Sequence, residues 1–425
     1  MLRIFLSLKN KTHFCLGQRD SLVFLQLFQI VSAMEKRSRL ILKAGKEKSL
    51  LRRHPWVFSG AVQRVEGPLA EGDLADVHAQ DGTYLATGHW QPGSIALKVL
   101  RFGNPCIDAD FWRERVGKAI AYRQALGLWD NPSTNVFRLI HSEGDGLSGL
   151  VADYYKGVVV LQSHSEGMHR AYPELLPLLR ELLGNKLRAV YDKSRATLPS
   201  GNAEDGYVFA EAEEPLEIME FGNRFRIRFS DAQKTGFFID QRENRSLLQS
   251  LAAGKRVLNT FGYTGGFSLS ALRGGATYVE TVDISQKAIL QCNENVALNF
   301  PHAPHCGVTQ DVMQYLTNIN KTFDIMVLDP PAFAKNHRSL QQGLKGYKTI
   351  NQRALEKIAP GGWLFTFSCS QAVSWEDFQT MLFTAAANAK REVRIVRPLS
   401  QGPDHPVSVY HPEGAYLKGL LVYVE

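Results

Sequence analysis

The sequence predicts an α/β protein: a doubly wound, mainly parallel sheet in the C-terminal half, preceded by a small all-β module and an α+β middle domain. Three observations carry this reading. After residue 223, short apolar runs alternate regularly with amphipathic stretches such as "SQKAILQCNENVALNF", the texture of repeated βα units. From about 38 to 108, short strand-like runs are punctuated by Gly and Asp at hairpin spacing, which suits an all-β unit. Between them, helical stretches flank a glycine-rich hairpin pattern.

In chain order, residues 1–37 form a leader. "SLVFLQLFQIVSA" (21–33) has the look of a signal-peptide core, but two glutamines interrupt it and Met34 opens a globular stretch at once, so a misassigned start or a disordered arm is expected rather than export. The module 38–108 holds "RLILKAG", "WVFSGAVQRV", "GDLADVHAQDGTYLATGHW" and "SIALKVLRFG". The middle domain, 109–222, has the helices "DFWRERVGKAIAYRQALGL" and "YPELLPLLRELLG", the hairpin "RLIHSEGDGLSGLVADYYKGVVVLQ" and the strand "RAVYDKS". Its turn, Glu143-Gly144-Asp145-Gly146, is expected to be a hairpin tip. In the last domain, 223–425, the expected strands are 256–261, 278–283, 306–310, 323–329 and 362–368, closed by a hairpin of "VRIVRPL" and "LKGLLVYV".

Composition narrows the class. With 44% apolar and 21% charged residues in 425, this is an ordinary globular composition, and no run reaches the roughly 18 to 20 apolar residues that span a bilayer. No membrane association is expected. Cys15, Cys106, Cys292, Cys306 and Cys369 are odd in number and show no CxxC or Cys/His spacing, which argues for a reducing cytoplasm and against a disulfide framework or a metal site. Of the formal net charge of +7, the first 33 residues supply +3. The rest is a mild bias concentrated in one stretch, where Lys36, Arg37, Arg39, Lys43, Lys46, Lys48, Arg52 and Arg53 face the single acid Glu47; such a patch suits a phosphate backbone.

The chemistry is expected at the carboxyl ends of the strands, where ligands of open α/β sheets bind. The first strand ends in "NTFGYTGGFSLSAL", with Gly262, Gly265 and Gly266 at a turn that opens a helix. The second ends in Asp283, placed to bond the ribose hydroxyls of an adenosine moiety, and the third near Asp311, placed to reach an adenine amino group. Glycines and two acids in this order point to a nucleoside cofactor, either NAD or S-adenosylmethionine. The fourth strand decides between them. In "VLDPPAF", Asp329 is followed by two stiff prolines, an arrangement a dehydrogenase does not need and a base methyltransferase can use, the acid bonding the base edge beside a rigid wall.

The fifth strand brings Cys369, between two serines in "FSCS", to the same rim. Carbon 5 of a pyrimidine becomes nucleophilic enough to take a methyl group once a thiolate has added at carbon 6. Cys369 is therefore read as that nucleophile, and Cys292, at core spacing in a helix, as structural.

Together these residues make the chain resemble the RlmI-like family of bacterial large-subunit rRNA 5-methylcytosine methyltransferases, from about residue 38 to the C-terminus. "LRRHPWVFSGAV" resembles the opening of that family's PUA domain, an RNA-binding β-barrel, and "RLIHSEGDGLSGLVADYY" its middle-domain signature, apart from Ser148 where a proline is expected. "QKTGFFIDQRENR", "NTFGYTGGFSLSAL", "LDPPAF", "GYKTIN", "FSCS", "DHPV" and "YHPEGAYLKG" resemble motifs of its class I, Rossmann-like methyltransferase domain.

The resemblance implies Cys369 as nucleophile and Asp329 as the acid that holds the base. It implies S-adenosylmethionine held by Lys234, Thr235, Gly236, Asp240 and Arg242, by Asn259, Phe261, Gly262, Tyr263, Thr264, Gly265 and Gly266, and by Asp283, Ser285, Asp311, Asp329 and Pro330. Lys43, Arg52, Arg53 and His54 are expected to contact large-subunit rRNA. No metal is expected. The base that removes the carbon 5 proton is unassigned, and the oligomeric state, a homodimer included, is open. The alternatives are a 5-methyluridine enzyme, an enzyme methylating a purine nitrogen, and an inactive rRNA-binding assembly factor.

Overall fold

The strands of the C-terminal sheet are apolar on both sides, and their alternation sorts them onto two faces. Val257, Ile325, Val327, Phe365 and Phe367 belong to one buried cluster; Leu258, Met326, Leu328 and Leu364 belong to another. A parallel sheet covered on both faces requires this pattern. A computed structural model describes residues 37–198, 201 and 203–425. Met34, Lys36 and the expected leader, apart from residue 37, lie outside the described residues.

The described chain divides into two units, one running to Glu114 together with Ser165–Glu174, the other comprising Arg115–His164 and Leu175–Glu425. The first unit is built on a six-stranded sheet in the order Trp56–Phe58, Ile95–Phe102, Tyr84–Trp90, Leu74–His78, Ser38–Leu42, Val62–Glu66. Ser38–Leu42 runs parallel to Leu74–His78; the sheet's other pairings are antiparallel. One short helix, Lys48–Leu51, interrupts the expected all-β pattern and buries only Leu50.

In the second unit the seven-stranded sheet has the order His305–Thr309, Tyr278–Asp283, Arg256–Thr260, Phe323–Leu328, Ile358–Ser368, Lys418–Val424, Val393–Leu399. The first five strands are parallel. Strand order reverses beside Arg256–Thr260, which opens the crevice where such folds bind ligands. The last two strands pair antiparallel as expected, but Lys418–Val424 inserts between Val393–Leu399 and Ile358–Ser368. They are not joined by a tight turn: residues 400–417 make a long excursion first. That excursion carries "DHPV" and "YHPEGAY" to the rim of the sheet.

A five-stranded sheet, Gly206–Phe209, Ala189–Asp192, Val158–Ser163, Leu150–Tyr155 and Val136–His141, and the hairpin Leu216–Glu220/Asn223–Ile227 complete this unit. Val136, Tyr155, Val158 and Val160 share one buried cluster with Phe225, Phe237 and Val257. The glycine-rich hairpin and the parallel sheet are therefore parts of one core.

Candidate functional site

The turn after Arg256–Thr260 is tightly made. Phe261 and Tyr263 hold φ of 55° and 44°, a left-handed conformation that non-glycine residues adopt at some cost and that clusters at ligand sites. The glycines serve packing as much as ligand approach: a Cβ on Gly262 would meet Thr281 Cγ2 at 2.2 Å, and one on Gly265 would meet the Cys292 sulfur at 2.5 Å. Asp283 locks the turn from the next strand, accepting from the Tyr263 N–H at 3.0 Å and from the Ser285 N–H at 2.8 Å.

Other residues expected at the cofactor have structural work of their own. Asn259 is buried and donates to Ser268 Oγ at 2.9 Å. Ser285 caps the helix Gln286–Asn299, and Asp311 caps Val312–Asn318 by accepting from the Gln314 N–H at 3.0 Å. The Thr264 carbonyl accepts from Asn295 at 3.0 Å. Cys292 is fully buried, and burial pushes its thiol up to about 12, as suits a structural cysteine.

The segment before the first strand crosses the same rim. Lys234 is half-exposed, stands over the Phe238 ring and lies 4.0 Å from Asp240 Oδ2. Thr235 is buried and gives its hydroxyl to Asp153, with Tyr155 Oη 3.2 Å away, so its side chain is committed inward. Gly236 has φ of 135°, and a Cβ there would press on Ile227 at 3.0 Å. Arg242 is likewise turned inward, ion-paired with Asp404 at 3.0 Å and with Glu243 at 3.2 Å. Asp240 accepts from Tyr416 Oη at 2.6 Å, while its Oδ1 and the Nε2 of neighbouring Gln241 are buried without a partner. Burial alone would raise the Asp240 pKa; Lys234, His405 and the Tyr416 hydroxyl hold it low. Unsatisfied buried polar atoms beside a strained glycine turn and a pinned carboxylate are what a bound nucleoside with an amino-acid tail would complete. The residues present thus fit S-adenosylmethionine.

Asp329 and Cys369 come from adjacent parallel strands and meet where both chains turn. The Cys369 sulfur lies 3.8 Å from the Pro330 carbonyl oxygen. Burial, reinforced by the charge of Asp240, pushes the Asp329 carboxyl up to about 7, against the Gln241 amide and Lys234. Burial, reinforced by Asp329, pushes the Cys369 thiol up to about 11, with Lys234 opposing. The thiol is therefore not pre-ionised, and at neutral pH the carboxyl is close to half-protonated.

The serines around Cys369 act as anchors. Ser370 Oγ accepts from the Ala334 N–H at 3.2 Å and shares a hydrogen bond with Tyr347 Oη at 2.8 Å; Tyr347 also accepts from the Phe333 N–H at 3.3 Å. "GYKTIN" thereby ties the Pro-Pro-Ala-Phe turn to "FSCS". Sequence reasoning missed Gln241, Tyr347, Tyr416 and Lys418. Lys418 is buried on the strand beside the one carrying Cys369, and burial lowers its pKa while the nearby thiolate opposes that effect. Each of the four stands within a stretch that carries a motif, but no spacing rule singles them out.

The 143–146 turn proves to be more than a hairpin tip. Asp145 is ion-paired at 2.6 Å with the fully buried Arg123, whose guanidinium also donates to the Asp404 carbonyl at 2.7 Å. Asp404 in turn accepts from the Arg138 N–H at 2.9 Å. Burial would raise Asp404, but His405, Arg242 and that N–H hold it far below the usual carboxylate range. Ser148 donates to Glu143 at 2.7 Å, so the departure from proline adds a hydrogen bond inside the turn.

In the first unit, Arg52 and Arg53 are exposed, Arg53 at φ of 64°, and Lys43 donates to the Gly60 carbonyl at 2.9 Å. His54 follows them, its ring 6.1 Å from Trp56 and 5.9 Å from Phe58. Phe58 is 45% exposed. Cations beside a short aromatic row match what a single-stranded nucleic acid meets on its binding proteins.

A family model for S-adenosylmethionine-dependent methyltransferases matches residues 138–422, and one for PUA-like domains matches residues 40–102. A ribosomal RNA large subunit methyltransferase I from Erwinia tasmaniensis is 39% identical over 392 residues, covering 90% of this chain and 98% of that protein. The protein of the same name from Shewanella denitrificans is 40% identical over 397 residues, covering 91% and 99%. A solved structure described as a SAM-dependent methyltransferase from Streptococcus mutans superposes with a TM-score of 0.78 at 21% identity, covering 91% of this chain and 99% of that one; it shows the shared fold. The chain belongs to the S-adenosylmethionine-dependent methyltransferases, in the family that contains the ribosomal RNA large subunit methyltransferase I proteins.

Proposed function

We propose that this enzyme methylates carbon 5 of a cytosine in large-subunit rRNA, in the cytoplasm, through a covalent adduct between Cys369 and carbon 6. The observation that carries the reading is the meeting of a thiol and a carboxyl at adjacent strand ends, with the Cys369 sulfur 3.8 Å from the Pro330 carbonyl. A purine-nitrogen methyltransferase has no use for that thiol. The names of the relatives supply rRNA as the substrate class.

S-adenosylmethionine supplies an electrophilic methyl group; the 261–266 turn, Asp283, Ser285, Asp311 and the main chain around 234–242 would hold it. The 38–108 module, through Lys43, Arg52, Arg53 and His54, would hold the RNA, with the target base flipped into the pocket. Cys369 loses its proton and bonds carbon 6, and the π electrons move so that ring nitrogen 3 takes a proton from Asp329. That leaves an enamine whose carbon 5 is nucleophilic. Loss of the carbon 5 proton later restores the ring double bond, breaks the C–S bond, and returns the nitrogen 3 proton to Asp329. A carboxyl raised to about 7 favours cytosine over uracil in this scheme: nitrogen 3 of cytosine is an acceptor that a protonated carboxyl can meet, whereas that of uracil carries a hydrogen.

The test is incubation of the protein and its Cys369→Ala variant with labelled S-adenosylmethionine and unmodified large-subunit rRNA, followed by digestion and mass spectrometry. Label in 5-methylcytosine, lost in the variant, is the expected result. Label in 5-methyluridine would move the substrate to uracil, and label in a methylated purine that survives the substitution would overturn the covalent scheme.

A further inference from the structure

The covalent scheme needs a group that accepts the proton of carbon 5, and we propose that the side-chain amine of Lys418 is that base. The inference rests on the covalent reading of Cys369 and goes beyond it.

Lys418 opens the strand that inserts beside the one bearing Cys369, and it pairs with Ser368, the residue immediately before the thiol. Its side chain is only 3% exposed. Among the described residues it makes no ion pair, and its one hydrogen bond is donated to the Tyr416 carbonyl at 2.9 Å. A buried, unpaired ammonium is costly, whereas a neutral amine can keep that hydrogen bond and still offer a lone pair. Lowering of its pKa by burial points the same way. Once the sulfur has bonded carbon 6, carbon 5 is the next ring atom, so a base near the sulfur is also near the proton to be removed.

The other groups around the thiol suit the task less well. Asp329 is occupied with nitrogen 3. Asp240 is held ionised by Lys234, His405 and Tyr416 and is correspondingly weak as a base. Lys234 is 51% exposed and drawn toward Asp240 and the Phe238 ring. The Tyr416 hydroxyl already donates to Asp240.

In the proposed step the amine takes the proton from carbon 5, the released C–H electron pair forms the C5–C6 double bond, and the C–S bond breaks with its electrons returning to sulfur. An enzyme without this base forms the methylated adduct and cannot release it. The experiment uses the full chain and its Lys418→Met and Lys418→Arg variants with unmodified large-subunit rRNA and S-adenosylmethionine, reading turnover and denaturant-resistant protein–RNA adduct. Rate losses of about a hundredfold or more are expected in both variants, with accumulation of a methylated adduct that the wild type does not build up. Arginine keeps the charge but cannot act as a base, so wild-type turnover by Lys418→Arg would overturn the proposal. So would lost turnover without adduct in a folded variant. If methionine prevents folding, the arginine variant carries the test alone.

RNA containing 5-fluorocytidine separates the two readings, because its carbon 5 has no proton to lose. An adduct between this RNA and the wild-type enzyme, together with normal turnover by Lys418→Met on ordinary RNA, would refute only the role of Lys418. No adduct with the wild type would refute the covalent reading itself.

Discussion

Gly144 lies so close to Pro406 that a Cβ built on it would stand 2.0 Å from the Pro406 carbonyl oxygen. The glycine-rich turn of the middle segment is thus pressed, without a side chain between, onto the loop that also holds Asp404 and His405. Arg123 joins the same two segments, reaching Asp145 at 2.6 Å and the Asp404 carbonyl at 2.7 Å.

Gly144→Ala should therefore push these segments apart. The obstacle is backbone, which cannot swing away as a flexible side chain would, so a loss of about 1–3 kcal/mol is expected from overpacking. Urea denaturation would measure it, and an unchanged midpoint would show that the loop shifts freely. Because Asp404 pairs with Arg242, close to Asp240 in sequence, weaker S-adenosylmethionine binding should accompany the loss of stability.

What the sequence could and could not disclose follows from the range of the interactions. The strands Tyr278–Asp283 and Val393–Leu399 stand where their apolar runs place them, because local pattern and burial agree there. The position of Asp283 at its strand end can be read for the same reason. Gly144 and Pro406 belong to distant parts of the chain, and their approach leaves no local trace, so the turn reads as a simple tip. Lys418 is hidden for a related reason: a lone lysine at the head of an apolar strand becomes chemically pointed only once that strand is known to insert beside Ser368. Thr235 and Arg242 show the converse, polar residues in a suggestive motif whose side chains turn inward to Asp153 and Asp404.

Asp329→Asn should change how stability depends on pH. The carboxyl has a pKa of about 7 in the folded protein and about 3.9 in an unfolded chain. Between those values the folded state keeps a proton that the unfolded state has released, so this group makes stability fall as pH rises from about 4 to about 7 and contributes no further change above that. The asparagine variant lacks this slope. At pH 8 it should melt at higher temperature than the wild type, by an amount worth a few kcal/mol at most, and near pH 4 the difference should vanish. Parallel melting curves across pH would show that Asp329 ionises freely.

The Cys369 thiol should react slowly with iodoacetamide at neutral pH. Its pKa stands near 11 against about 8.5 for an ordinary thiol, so the alkylation rate should keep rising with pH well beyond the point where an exposed cysteine levels off. Removing the negative charge with Asp329→Asn should speed alkylation at pH 8, since Asp329 is the largest charge holding the thiol up. Mass spectrometry of the Cys369 peptide distinguishes it from Cys106 and Cys306. A plateau near pH 8.5 in the wild type would mean that the buried thiol is paired with a cation strongly enough to offset its burial.

Arg52 and Arg53 should matter for RNA through charge, and the two substitutions need different replacements. Arg52→Ala removes a cation at the end of the helix Lys48–Leu51 without other consequence. Arg53 sits at φ of 64°, where alanine would keep the backbone strain; Arg53→Gly removes the charge and relaxes the turn. If both side chains meet phosphates, the double variant should bind large-subunit rRNA more weakly at low salt. The slope of log affinity against log salt should also become shallower, by about 0.7 for each phosphate of a single strand that is no longer neutralised. A change in affinity with an unchanged slope would point instead to the aromatic row of His54, Trp56 and Phe58, whose stacking on bases depends little on salt. Filter binding over a salt series separates the two outcomes, and because both arginines belong to the first unit while the 329–369 rim belongs to the second, S-adenosylmethionine binding should be unaffected in either case.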